Sequence, residues 1–229
     1  MQRGCKIPRL LFIKKYDIII IEMEGVTNMQ YLQIFADQFK KIKEHPTMTR
    51  SPSLLEPMHS MIADQVESHG YKTRSLRNRE FTFEGPYGTK DLDVAIFDNN
   101  NKLIGAIMFK GIRSEYKKNS NNYFEQMRGE SQLLLDGGIP VYQIILIPTK
   151  VKHKKSDGSY VWETPSEKST ENYSIYINNN YKPDGLKVGV FYIDVDYENF
   201  KANYADRKIV NMENTMTEGI ENFIRSLNG

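Results

Sequence analysis

The chain has 229 residues, of which 39% are hydrophobic and 26% are charged, and these values are typical of one folded globular domain. Its 31 basic and 29 acidic residues nearly cancel, so only local basic patches can indicate a nucleic-acid partner. One cysteine, Cys5, excludes a disulfide framework and a thiolate metal cage, because each needs at least two.

The apolar runs near the start of the chain are short. Tyr16–Ile21 falls far below the roughly 20 residues that span a bilayer. Leu10–Ile13 is too short for the core of a secretory signal, and Lys14 and Lys15 end it. We therefore expect a cytoplasmic protein with no membrane partner.

Two elements are predicted in the N-terminal part, residues 16–43. The β-branched run Tyr16–Ile21 predicts a strand. Gln30–Lys43 has apolar residues at helical spacing and predicts a helix that His45 and Pro46 end.

The middle of the chain, residues 53–147, alternates between helical and strand patterns. A helix is predicted over Ser53–His69, with Pro57 in its first turn and Gly70 at its end. The following elements are three strands in a meander, a helix and a fully apolar strand: Phe81–Phe83, Leu92–Phe97, Leu103–Phe109, a helix from Asn122 to Gly137, and Val141–Ile147.

The C-terminal part reads as hairpins and a helix. Lys150–Trp162 predicts a hairpin that turns at Asp157 and Gly158. Tyr173–Ile177 and Val188–Val195 predict a second hairpin, and the apolar spacing from Met216 to Leu227 predicts a closing helix.

The order helix, three strands, helix, strand predicts an α/β fold in which a mixed central sheet is flanked by helices. No linker or internal repeat divides the chain, so we expect a single domain over residues 1–229. Its core covers about 53–147, and 16–43 and 150–195 are additions to that core.

The strongest chemical signal is an aspartate at the start of one predicted strand and a lysine at the end of the next. Asp93 and Lys110 should converge at one end of the sheet, because the two strands pair as a hairpin. A carboxylate there can hold a divalent cation against a phosphate, and the ammonium can orient the attacking water. Asp91 replaces Asp93 if the register is shifted by two residues.

This arrangement resembles the PD-(D/E)xK nuclease superfamily, which includes most type II restriction endonucleases and the Mrr-like and RecB-like nucleases. The resemblance covers Ser53–Ile147, and Asp93 and Lys110 match its metal-binding aspartate and its lysine. Gln126 follows Lys110 at the distance where RecB-like members place a glutamine. The resemblance implies a restriction-endonuclease-like fold, Mg²⁺ with Mn²⁺ as a substitute, and cleavage that leaves a 3′-hydroxyl and a 5′-phosphate.

One position departs from the family pattern. The family has an acid two residues before the lysine, and this chain has Met108, whose soft sulfur is a poor ligand for hard Mg²⁺. Three explanations stay open: a carboxylate displaced to the following helix, a natural pseudo-nuclease, or a variant whose acid was replaced. Glu125 is the preferred displaced carboxylate, so Asp93 and Glu125 form the predicted metal pair, and Glu130 is the alternative.

Basic and amide residues flank the candidate site. Arginine and asparagine can form hydrogen bonds with base edges, and lysine can contact phosphates. Alternatively, any one of these patches is an ordinary charged surface exposed to solvent. The candidate DNA contacts are Arg113, Tyr116, Lys117, Lys118, Asn121, Lys152, Lys154 and Lys155.

The sequence therefore predicts a Mg²⁺-dependent endonuclease of the type II restriction class, in which Asp93, Lys110 and Glu125 are catalytic. It would cut double-stranded DNA as a homodimer, with a cognate DNA methyltransferase in the same system. The rival interpretation is a DNA-binding protein of the same fold that does not cut, and Met108 favours it.

Overall fold

The computed structural model describes residues 15–165, 167–178, 182–209 and 212–228, and for 15–27 and a few further positions the backbone only. Cys5 and Leu10–Ile13 lie outside these residues. None of the helices described in these ranges combines the length and apolar character that crossing a membrane requires.

The described part of the chain contains five α-helices, ten strands and two short 3-10 helices, Pro46–Arg50 and Leu76–Asn78. The helices are α1 (Lys15–Glu44), α2 (Pro52–Glu67), α3 (Tyr116–Asp136), α4 (Glu167–Asn178) and α5 (Met216–Ser226). The strands are β1 (Lys72–Ser75), β2 (Phe81–Gly85), β3 (Gly88–Leu92), β4 (Val94–Phe97), β5 (Leu103–Gly111), β6 (Val141–Pro148), β7 (Val151–Lys154), β8 (Tyr160–Glu163), β9 (Leu186–Asp196) and β10 (Lys201–Lys208).

Six strands form one mixed sheet in the order β1, β4, β5, β6, β9, β10. β1, β4 and β5 are antiparallel, and β6 runs parallel to both β5 and β9. A parallel neighbour requires a crossover, and α3 supplies the one between β5 and β6. The predicted α/β class with a mixed central sheet flanked by helices is confirmed.

The sheet has a core on each face. Apolar residues of α3, α4 and the β7–β8 hairpin cover one face, and α1, α2 and α5 cover the other. β6 is buried on both sides along its length, as its mainly apolar sequence predicts, and its one amide side chain, Gln143, donates a hydrogen bond of 3.1 Å to Ser131 Oγ. Side chains alternate along β5, so Met108 belongs to the first core and Ile107 and Phe109 belong to the second.

Two predictions about the first half of the chain are wrong. Tyr16–Ile21 is part of helix α1, because these residues continue directly into the helical pattern that follows them. Phe81–Phe83 does not join the central sheet, because β2 pairs along its length with β3 as a separate hairpin, and Lys72–Ser75 supplies the first sheet strand instead. In addition, Pro57 lies in the second turn of α2, because that helix begins at Pro52.

The predicted second C-terminal hairpin is also wrong. Tyr173–Ile177 lies in α4, where Tyr173 and Tyr176 are three residues apart on one face and pack edge-on against Phe124 of α3. β9 pairs with β6 and β10 and so extends the central sheet. The hairpin of β7 and β8 and the closing helix α5 are confirmed.

Helix α5 packs very closely on β6. A Cβ added at Gly219 would overlap the hydroxyl and ring of Tyr142, whose hydroxyl is buried with no hydrogen-bond partner among the described residues. The small residue at position 219 is therefore required by packing.

Gly219→Ala should lower the free energy of unfolding by about 1 to 3 kcal/mol, because the overlap outweighs the roughly 1 kcal/mol that alanine adds to helix propensity. Adding Tyr142→Phe removes the overlapping hydroxyl and should restore part of the loss. Gly129→Ala is the control, since Gly129 of α3 has open space around it and should be neutral or stabilising. Urea denaturation measures all three, and equal effects at positions 219 and 129 would contradict the packing argument.

Candidate functional site

The candidate site lies in a notch at the edge of β4. The pairing of β4 with β5 ends where Val94 meets Ile107, so in the described structure β5 continues beyond that point with a strand partner only in β6. On the β6 side, the amides of Ala106 and Ile112 donate hydrogen bonds to the carbonyls of Pro140 and Leu146. The amide of Phe109 therefore points into the notch.

Asp93 fills this notch and Lys110 borders it. Asp93 lies between β3 and β4, and its Oδ2 accepts a hydrogen bond of 2.7 Å from the Phe109 amide. Lys110, at the end of β5, lines the same cleft of about 190 Å³. Its Nζ lies 3.3 Å from Gln126 Oε1 and 5.0 Å from the centre of the Tyr123 ring. The structure thus brings Asp93 and Lys110 together, as the hairpin pattern predicts.

A cluster of three possible metal ligands includes Asp93 and two residues that the sequence analysis missed. One ligand atom each of His59, Glu80 and Asp93 lies within 4.8 Å of the other two. His59 Nδ1 is 3.8 Å from Glu80 Oε1, and His59 Nε2 is 4.0 Å from Asp93 Oδ1. His59 is 1% exposed, and neither ring nitrogen has a hydrogen-bond partner in the part of the chain that the structure describes.

The pKa values in this cluster show that its charged forms are poorly compensated. Burial raises the pKa of Asp93 to about 6, against the lowering effects of the Phe109 hydrogen bond and of Lys90. Burial also raises the pKa of Glu80, and the charge of Asp93 adds to that rise. Burial lowers the pKa of His59 to about 4, which leaves a neutral imidazole at neutral pH.

These donors fit a divalent cation. A neutral imidazole offers one nitrogen lone pair and each carboxylate offers its oxygens, and a cation would provide a partner for the buried His59. Ligand atoms around one Mg²⁺ lie about 3.0 Å apart when adjacent and about 4.2 Å apart when opposite, so the cluster, whose atoms lie within 4.8 Å of one another, must contract to hold an ion. An imidazole among the donors favours Mn²⁺ or another transition metal over Mg²⁺.

The opposite side of the cleft carries cations and a further acid. Lys90 Nζ forms a salt bridge of 2.8 Å with Glu130 Oε1, and Gln126 Nε2 donates to the same oxygen at 2.9 Å. Burial lowers the pKa of Lys110, partly offset by the charge of Glu130. A lysine with a lowered pKa holds its proton less tightly and is neutral more often than an ordinary lysine.

The predicted second carboxylate is not where the sequence analysis placed it. Glu125 is exposed and does not line the cleft, because Gln126, Met127 and Glu130 occupy the face of α3 that does. As in the prediction, Met108 shares a strand face with Lys110, and it forms part of the cleft floor at 3% exposure. Of the two candidates on α3, the geometry therefore favours Glu130 over Glu125.

Asp91 is also outside the cleft. It lies on the exposed hairpin of β2 and β3 and accepts a hydrogen bond of 2.6 Å from Thr82 Oγ1. The register of the two strands thus selects Asp93.

The candidate DNA contacts after Lys110 have different environments. Tyr116 is fully buried at 0% exposure and stacks against Tyr123, so the prediction that it contacts DNA is wrong. Lys117, Lys118 and Asn121 are exposed in the first turns of α3, which begins at Tyr116 and not at Asn122. The helix therefore includes residues that the sequence analysis assigned to a polar loop.

Arg113 lines both the cleft and a second, larger hollow next to it. Its Nη1 donates to Gln38 Oε1 of α1 at 3.2 Å, and no described carboxylate forms a salt bridge with it. The second hollow, about 530 Å³, shares Lys110, Tyr123 and Gln126 with the first and continues toward Ser114. This arrangement leaves a guanidinium available to an anion next to Lys110.

The other basic candidates lie on the hairpin of β7 and β8. Lys152, Lys154 and Lys155 are all exposed. The hairpin is attached to the segment that follows Lys110, because the Glu115 amide donates to the Lys152 carbonyl at 2.9 Å. The predicted basic hairpin therefore begins close to the candidate site.

Comparison with protein-family models, with curated proteins and with solved structures gives no match for this chain. The functional argument accordingly depends on the geometry of the site.

Asp93→Asn should stabilise the metal-free protein at a pH well above 6 by roughly 1 to 3 kcal/mol. The pKa of Asp93 in the folded protein is about 6, above its ordinary value of 3.8, so ionisation of this side chain destabilises the fold. The stability that Asp93→Asn adds should therefore grow as the pH rises from 3.8 to about 6. Below the ordinary pKa both states are protonated and the gain should vanish. Urea denaturation with a chelator at both ends of this range measures it. Asp91→Asn is the exposed control, and a gain independent of pH would contradict the argument.

Glu80→Gln should weaken binding of Mn²⁺ by roughly tenfold or more, because an amide replaces a charged oxygen donor. Glu125→Gln removes an acid outside the cleft and should leave the affinity unchanged. Calorimetric titration of each variant with Mn²⁺ makes the comparison. Equal loss in both variants, or none in Glu80→Gln, would show that this cluster does not hold the ion.

Proposed function

We propose that this chain is a metal-dependent endodeoxyribonuclease with a restriction-endonuclease-like fold, of the type II restriction class. The observation that carries the proposal is the convergence of Asp93 and Lys110 with two further ligands at one notch of a mixed sheet. A metal-binding carboxylate beside a lysine with a lowered pKa is a combination suited to hydrolysis of phosphodiesters.

The order of elements supports the fold assignment. α2, β1, β4, β5, α3 and β6 come in the chain order α-β-β-β-α-β, with β5 and β6 parallel and the β2–β3 hairpin inserted between β1 and β4. Asp93 lies directly before the middle antiparallel pair of β4 and β5, and Lys110 lies on β5. Gln126 and Glu130 lie on the crossover helix, whereas His59 lies on α2 and Glu80 precedes β2. In the superfamily that the sequence resembles, the metal-binding aspartate and the lysine belong to a pair of this kind.

His59, Glu80 and Asp93 are the residues that would hold the metal, either Mg²⁺ or, as the imidazole favours, Mn²⁺. When bound, the ion supplies Lewis-acid polarisation of the scissile phosphate and neutralises its developing charge. Above pH 6 Asp93 presents an ionised carboxylate, and His59 presents a neutral ring because of its low pKa.

Lys110 and Arg113 serve the phosphate side of the reaction. The Lys110 ammonium lies within reach of Gln126 and is available to orient a water molecule for in-line attack. Its lowered pKa enlarges the share of the neutral amine, which is the form that can act as a base toward that water. Arg113 lies beside it and offers a charged donor to a neighbouring phosphate.

Double-stranded DNA is the proposed substrate, bound by exposed polar and cationic residues near the second hollow. Lys117, Lys118 and Asn121 lie on the first turns of α3, whose Asn119 and Asn122 line the hollow, and the lysines of the β7–β8 hairpin begin at Lys152, which bridges Ser114 of the hollow. A homodimer would place two such sites on the two strands of a symmetric target. A cognate DNA methyltransferase in the same system would protect the host DNA.

Lys110→Met should reduce cleavage of supercoiled plasmid by at least about a hundredfold, while DNA binding stays within about tenfold, because Lys110 acts on the reaction more than on docking. Lys102→Met is the matched control, since Lys102 is exposed just before β5, at the far end of that strand. Cleavage should need Mg²⁺ or Mn²⁺ and should be lost on chelation. A fully active Lys110→Met protein would overturn the assignment.

A DNA-binding protein that does not cut is the second candidate, and Met108 favours it. The methionine puts sulfur on the cleft floor at the position where the superfamily has an acid. The same plasmid assay separates the two candidates. Binding of duplex DNA without cleavage under either metal would support the silent protein and remove the nuclease.

A further inference from the structure

The hairpin of β7 and β8, residues 150–163, carries aromatic and cationic side chains on one face. Lys152 pairs with Trp162, and Lys154 pairs with Tyr160. Directly opposed residues share a face, and residues two apart return to it, so these four side chains form a single block. We call this block the outer face of the hairpin.

The outer face is exposed, although it carries two large rings. Tyr160 is 63% exposed and Trp162 is 51% exposed. On the inner face Val151 is buried, and Glu163 accepts a hydrogen bond of 3.0 Å from the Lys117 amide of α3. The inner face therefore fixes the hairpin to the body of the protein and leaves the outer face to solvent.

Trp162 is held in a defined position. Its ring lies 4.7 Å from that of Tyr197, centre to centre, and Lys152 Nζ lies 5.5 Å from its centre. The Tyr197 hydroxyl in turn donates to the carbonyl of Lys150. An indole that is packed on one side and half exposed loses little freedom when a further ring stacks on it.

The positive charge of the hairpin favours an anionic binding partner. In the described structure, none of its four lysines forms a salt bridge: Lys150, Lys152, Lys154 and Lys155. Exposed rings together with ammonium groups that have no carboxylate partner among the described residues suit a polymer of flat rings and phosphates. In a duplex each base is already stacked on both faces, whereas an unpaired base offers a free face to an aromatic side chain.

The hairpin is continuous with the candidate site. Ser114 forms a β-bridge with Lys152, and the second hollow extends from Lys110 past Arg113 to Ser114 and Glu115. A strand that leaves the notch along this polar hollow reaches the base of the hairpin.

We propose that the outer face of the hairpin binds an unpaired segment of DNA, whose bases stack on Trp162 and Tyr160 while Lys152 and Lys154 neutralise its phosphates. The binding itself is independent of catalysis. Its role beside the cut rests on the proposed nuclease function, and it makes duplex DNA with an unpaired strand next to the cleavage point the preferred substrate.

The single tryptophan of the chain makes this proposal directly measurable. Oligothymidylate of about 16 nucleotides, the upper end of a common single-strand site size, should quench the emission of Trp162 when titrated into the protein with a chelator present. A blunt duplex of the same length should quench it less and bind at least several-fold more weakly. Equal quenching and affinity for the duplex would show that the hairpin contacts duplex backbone, and would overturn the proposal.

Variants identify the stacking rings. With a labelled oligothymidylate, Trp162→Ala and Tyr160→Ala should each weaken binding by roughly tenfold, and Trp162→Phe should retain most of it because a ring remains. Tyr87→Ala is the matched control, because Tyr87 is 64% exposed on the β2–β3 hairpin and bonds Asp136 at the far end of α3. The 21 residues of that helix separate the two hairpins by about 30 Å.

The outcomes separate this proposal from the nuclease proposal. Loss of binding in the two hairpin variants but not in Tyr87→Ala supports the hairpin site, even if the protein cleaves no DNA. Cleavage of plasmid together with unchanged oligothymidylate binding in Trp162→Ala and Tyr160→Ala would retain the nuclease and overturn the hairpin site. Circular dichroism of each variant checks that the fold is intact, and Tyr160→Ala, whose ring is the more exposed, decides the result if Trp162→Ala is unstable.

Discussion

The geometry of the site depends on one unmatched strand end. β5 extends past the start of β4, and the Phe109 amide at that point bonds the Asp93 carboxylate instead of a strand carbonyl. A buried amide without a partner is costly, so this bond fixes the Asp93 side chain at the edge of the sheet. The same strand end carries Lys110 on the α3 face, while the Asp93 carboxylate also approaches His59 on α2. The notch therefore brings together groups from both layers of helices.

The charged groups around Asp93 are unevenly distributed. Asp93 lies with Glu80 and the neutral His59 of α2, and burial makes ionisation of either acid unfavourable. Lys110 and Arg113 line the cleft, and burial lowers the pKa of both, while Glu130 of the same cleft forms its salt bridge with Lys90. Burial therefore disfavours the charged forms of both groups. A metal ion and a phosphate would relieve both at once, which is why this polarity supports phosphodiester chemistry more strongly than any one residue does.

The sequence predicts the site residues that belong to one pair of neighbouring strands. It does not predict the residues that distant parts of the chain bring to the site. The alternation of side chains along β5 and the turn before this strand are sufficient to place Asp93 and Lys110 at the same end of the sheet. Glu80 precedes the β2–β3 hairpin, which does not join the central sheet, so no local sequence pattern relates Glu80 to Asp93. His59 had a signal, because it interrupts the apolar stripe of α2 next to Met58 and three residues before Ile62. The error over Glu125 has a similar origin: the stripe containing Met127 and Leu134 identifies the packed face of α3, and Glu130 lies nearer to it.

The hairpin of β7 and β8 shows how a peripheral element can gain a role through its attachment. Its sequence predicts two strands and a turn, and the register adds that lysines and aromatic rings share one face. A short exposed hairpin is marginal alone, and this one is held by Glu163 at α3 and by Trp162 against Tyr197. The residues that stabilise the hairpin thus also set the direction of its outer face. Since α3 carries Gln126 and Glu130 into the cleft and its Lys117 amide bonds Glu163, the hairpin and the cleft are attached to one helix, and a strand bound to the hairpin as proposed would lie near the hollow that begins at Lys110.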